Sequence, residues 1–73
     1  MNEYTINLQW DQEASVWIAT SDDVPGLVLE SGSLDLLMER VRYAAPELLE
    51  MNKNKHPDVS LCFMMERHER AYA

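Results

Sequence analysis

Residues 17–32 read WIATSDDVPGLVLESG, and this stretch decides how the chain is read. Two acids and a Pro-Gly pair sit between two apolar, β-prone runs. Proline cannot donate a ladder hydrogen bond and glycine admits positive φ, so Pro25-Gly26 suits the centre of a type II turn. The run before it, Val16–Ser21, alternates Val16, Ile18 and Thr20 with Trp17, Ala19 and Ser21, as a strand does. The run after it, residues 27–31, is a short third strand closed by Gly32.

Upstream, Tyr4, Ile6, Leu8 and Trp10 alternate with Thr5, Asn7 and Gln9, the period-two signature of a half-buried first strand. The polar segment at 11–15 makes a hairpin to the second strand. Downstream, Ser33 is placed to cap a helix, with Asp35 in its first turn. Leu34, Leu37, Val41, Ala44 or Ala45, and Leu48 recur at helical spacing, and Glu39 and Arg42 lie opposite. Pro46 interrupts this pattern: either the helix kinks there, or it ends near Tyr43 and a further turn starts at Pro46. After a polar loop at 52–58, the last strand begins at Val59, with Val59, Leu61, Phe63 and Met65 on one face and Ser60, Cys62, Met64 and Glu66 on the other. Residues 67–73 are expected to fray.

The predicted fold is α+β, in the order β-β-β-α-β, as one domain over residues 1–73. Three antiparallel strands form a meander, and a right-handed helical crossover brings the fourth strand back parallel to the first. The helix covers one sheet face. The other is expected to show Asn7, Trp17, Val28, Cys62 and Met64, more apolar than a small monomer should leave exposed. The run LCFMM on an edge strand also invites strand pairing.

Composition bounds the function. At 73 residues the chain buries only about 60% of its unfolded surface, so association is a natural source of stability. A single cysteine excludes an internal disulfide, and the start of the chain has no signal-peptide pattern, so a cytoplasmic location is expected. No apolar stretch approaches the ~20 residues that span a bilayer. The net charge is −7, and the first 39 residues hold eight acids and no Lys or Arg. Such a surface repels phosphate backbones and attracts a basic protein, although acids also serve simply to keep a small domain in solution.

No cofactor or metal site is expected. The carboxylates sit at strand ends, and the first strand offers Thr5, Asn7 and Gln9 where a two-metal nuclease of the ribonuclease H type needs carboxylates. His56, Cys62 and His68 are too few and too scattered for zinc. Two glycines cannot make a phosphate cradle. Nothing in the sequence supports catalysis. Asp22, Asp23, Glu30 and Trp17 are the candidate partner-binding residues, and Trp17, Cys62 and Met64 the candidates for self-association, because a desolvated Trp is a frequent hot spot. For Trp17 a packing role at the sheet rim is the competing reading.

Residues 10–41, WDQEASVWIATSDDVPGLVLESGSLDLLMERV, resemble the HicB-like antitoxin family, and in particular its short single-domain branch. Asp11, Glu13, Trp17, Asp23, Pro25, Gly26, Glu30 and Gly32 match the family's pattern, and PELLEMN at 46–52 also fits. The resemblance implies a partial ribonuclease-H-like sheet without catalytic carboxylates. It implies an antitoxin that dimerises and blocks a HicA-like partner, a small basic ribonuclease. The family's C-terminal DNA-binding segment has no counterpart in RHERAYA, so direct binding of nucleic acid is not expected.

Overall fold

The computed structural model describes residues 2–52 and 58–72, with the side chain of Asn2 excepted. The elements are β1 (Asn2–Asp11), β2 (Val16–Thr20), β3 (Val28–Ser31), α1 (Leu34–Met51) and β4 (Val59–Glu66). They form one sheet in the order β3-β2-β1-β4, antiparallel except for the β1–β4 pair. This is the expected β-β-β-α-β arrangement. Most of the polar loop before β4, including His56, lies outside the described residues.

Local chemistry sets each junction. In the first hairpin, Asp11 Oδ1 accepts the backbone N–H groups of Glu13 (3.1 Å) and Ala14 (3.3 Å), and Ser15 takes a positive φ of 55°. In the second, the Leu27 N–H donates to the Val24 carbonyl at 3.2 Å, closing a turn around Pro25 and Gly26. Gly26 has φ 86°, as the third residue of a type II turn requires. At the helix start, Ser33 Oγ accepts the Leu36 N–H at 3.2 Å, the expected N-cap.

The helix runs unbroken through Pro46. Neither a break near Tyr43 nor a second helical segment is present among the described residues. A proline there removes one N–H and crowds the Arg42 carbonyl. Arg42 is solvent-exposed, so water can serve the freed oxygen. Asn52 ends the helix, its side-chain amide donating to the Leu48 carbonyl at 2.8 Å.

The core lies between α1 and one sheet face. Ile6, Leu8, Trp17, Ala19, Leu37, Val41, Ala45 and Leu49 are buried, with Val24 and Leu27 tucked in from the Pro-Gly turn. The buried helix positions repeat every four residues, so Ala45 and Leu49 point inward while Ala44 and Leu48 are half-buried at the margin. The helix packs across β2 and β3, leaving the β4 side of the same face less covered. There Leu61 and Phe63 are half-buried and Met65 is exposed.

Candidate functional site: the open sheet face

The face away from the helix is built by parity. Pairing places Asn7 beside Thr20 and Met64, Gln9 beside Ile18 and Glu66, and Thr5 beside Cys62. Val28 extends the row from Thr20, and Glu30 the row from Ile18. Glu3 and Asp11 lie on the same face at the two ends of β1, by strand alternation. The result is a patch of hydroxyls, amides and apolar groups bordered by Glu3, Asp11, Glu30 and Glu66. No residue of the four strands is Lys, Arg or His. Met64 and Val28 are the large apolar side chains most exposed on this face, at 55% and 70%.

Cys62 and Met64 therefore share the open face, as their alternation requires. Trp17 does not. It pairs with Trp10, sits on the helix side and is 6% exposed. Ile18 takes the place expected for Trp17. Both alternating sets of VWIAT are apolar, so hydrophobicity alone did not assign the faces. Trp17 is packed against Trp10 with ring centroids 5.5 Å apart. The Arg67 guanidinium stacks 4.3 Å from the Trp10 centroid and 5.6 Å from that of Trp17. It also pairs with Glu69 at 2.6 Å. The chain after Glu66 thus has no regular structure through Tyr72, yet Arg67 anchors it to the two indoles.

The two turn acids have different roles. Asp23 accepts the Thr5 N–H through Oδ2 at 2.7 Å. Ser21 Oγ donates to the Thr5 carbonyl at 2.6 Å and accepts the N–H groups of Asp23 (3.0 Å) and Val24 (3.1 Å). β2 pairing with β1 stops at Thr20, and these two side chains replace the next rung of the ladder. Asp23 is a structural residue, a role that turn composition did not reveal. Asp22 is exposed and its side chain forms no hydrogen bond among the described residues. Glu30 is exposed on the open face.

Among the described residues, no three His, Cys, Asp or Glu side chains cluster so as to hold a metal ion, and no helix is long and apolar enough to cross a membrane. A cleft of about 290 Å³ lies where Gln9 and Glu66 meet Trp10, Gln12 and His68. A second, apolar groove of about 310 Å³ lies between β3 and the end of α1, lined by Leu27, Val28, Leu29, Leu48 and Met51 among others.

The model of a domain of unknown function, DUF1902, matches residues 3–73. The chain belongs to the DUF1902 family. Its fold is also similar to the crystal structure of the hypothetical protein TTHA1013 from the extremely thermophilic bacterium Thermus thermophilus. That match has a TM-score of 0.70 and 33% identity, and covers 99% of this chain and 100% of the other. No curated protein matches. The DUF1902 match thus covers both turns and the strands and helix described above, save the first residue of β1.

Proposed function

We propose that this DUF1902 chain is a protein-binding module that captures a small basic protein, as the HicB-like resemblance implies for a toxin ribonuclease. The observation that carries the reading is the open face: four carboxylates around a centre of Ile18, Thr20, Asn7 and Gln9, with no cation on any strand. Exposed carboxylates of one sign steer a cationic partner, and the flat apolar and amide centre supplies contact area. Glu3 and Glu30 on that face, and Asp22 on the turn that follows Thr20, are exposed acids without a side-chain partner among the described residues. Binding rather than catalysis is also the reading that suits Thr5, Asn7 and Gln9 on the first strand. The chain would act in the cytoplasm.

The test is titration of the purified chain with a small basic ribonuclease of the toxin class, at low and at moderate salt. Capture that weakens as salt rises, and weakens further in Glu30→Gln and Asp22→Asn, supports the reading, because exposed charges are screened within about 8–10 Å at such ionic strengths. Capture indifferent to salt and to both changes would overturn the acidic-face reading. Absence of capture would leave the second reading, a domain that only self-associates, which the exposed Met64 favours.

A further inference from the structure

β4 is the last strand of the sheet, and among the described residues its outer edge is unpaired. Strand edges are ordinarily protected by brevity, proline, lysine or a bulge. β3, the other edge, has only four residues and carries Glu30. β4 has eight, none of them Pro, Lys or Arg, and its pairing with β1 runs without a bulge from Asn2–Val59 to Gln9–Glu66. Seven uncharged residues, Val59–Met65, precede its single charge at Glu66. On the helix side, Leu61, Phe63 and Met65 form a row that α1 covers only in part.

We propose that the β4 edge pairs antiparallel with β4 of a second copy, with the two-fold axis at Phe63. This goes beyond the capture reading and does not depend on it, since it leaves the open face uncovered. Two copies related by an axis perpendicular to the sheet keep their helices on one side, so facing residues have equal parity. Charge then selects among the few registers left. An axis at Cys62 sets Asp58 against Glu66 of the copy, two like charges directly opposed. An axis at Met64 sets Glu66 against Cys62, a carboxylate against an apolar group. An axis at Phe63 sets Leu61 against Met65 and Phe63 against itself, completing the half-covered apolar row. It also sets Ser60 against Glu66, a hydroxyl donor facing a carboxylate. His68 already lies 3.4 Å from Glu66 in its own chain.

The single cysteine makes the register measurable. With the axis at Phe63, Cys62 faces Met64 of the copy, and the two Cys62 residues are offset by two residues, about 7 Å along the strands and beyond disulfide reach. Sedimentation at micromolar concentration, combined with mild oxidation by oxidised glutathione and a non-reducing gel, reads both. The expected result is a dimer that does not cross-link in the native chain and cross-links in Met64→Cys. Met65→Asp, at an exposed position that the single chain tolerates, should sediment as a folded monomer by circular dichroism. Val28→Asp on the other edge should remain dimeric. A native chain that is monomeric, or that cross-links through Cys62, overturns the proposal. So does a dimer that persists in Met65→Asp or fails to cross-link in Met64→Cys.

Discussion

The Asp23 carboxylate accepts the Thr5 backbone N–H at 2.7 Å across eighteen residues of chain, so a turn side chain continues the sheet where strand pairing has stopped. Asp23→Ala strands that donor. The loss should be about 1 kcal/mol, the low end for an unpaired polar group, because the site is exposed. In a domain of this size, that is a fall in Tm of about 4–8 °C. Asp22→Ala should leave Tm unchanged. Thermal melts of the two variants separate an architectural acid from a free one. Equal effects would show that turn propensity, not the Thr5 contact, is what Asp23 supplies.

The two glycines should respond differently to alanine. Gly26 has φ 86°, and a Cβ there meets Leu48 Cδ2 at an ordinary 3.7 Å, so the penalty is conformational and amounts to about 1–2 kcal/mol. A Cβ on Gly32 meets only the Ser15 carbonyl oxygen, also at 3.7 Å, with no left-handed backbone to strain. Urea midpoints should therefore fall for Gly26→Ala and stay put for Gly32→Ala.

Pro46→Ala should stabilise the chain. It restores an N–H where the Arg42 carbonyl lacks its helical partner, relieving part of the ~3 kcal/mol that an interior proline costs. Greater freedom of the unfolded chain takes back about 0.4–1 kcal/mol. A net gain of about 1–2 kcal/mol would raise Tm by several degrees. An unchanged Tm would mean that the helix carries no penalty at this turn.

Leu49 is 1% exposed and Leu48 half-buried, although they are neighbours in sequence. Leu49→Ala should cost about 2–5 kcal/mol by leaving a cavity, and Leu48→Ala clearly less. Chemical denaturation of both variants checks which residue the helix presents to the core.

That last pair shows where the sequence was ambiguous. The spacing predicts Leu48 on the buried stripe, but packing against β2 and β3 selects the fourth-residue series Leu37, Val41, Ala45, Leu49 and leaves Leu48 at the margin. The same holds for β2, where Trp17 and Ile18 are both apolar and the pairing Trp10–Trp17 decides which faces inward. Where one alternating set was polar, as in Thr5, Asn7 and Gln9, the faces were legible. So were the Pro-Gly turn, the Ser33 cap and the parallel return of β4. Asp23 reads as a surface acid because nothing local shows that β2 stops pairing before it reaches Thr5. Val24 and Leu27 were hidden for a similar reason, since residues flanking a turn are ordinarily wet. The acidic bias of the open face was visible as composition, but its border of Glu3, Asp11, Glu30 and Glu66 emerged only from the register.

The first strand sits inside the sheet and is paired along most of its length with the last, Asn2 through Gln9 against Val59 through Glu66. The part of this domain made first therefore waits on the part made last. Until residues near 66 leave the ribosome, Ile6 and Leu8 have a strand on one side only, and the margin that Val59, Leu61 and Phe63 give the core is missing. Completing the sheet rests on contacts of long sequence separation, which are slow to form. A chain truncated before β4 leaves the outer edge of its first strand unpaired.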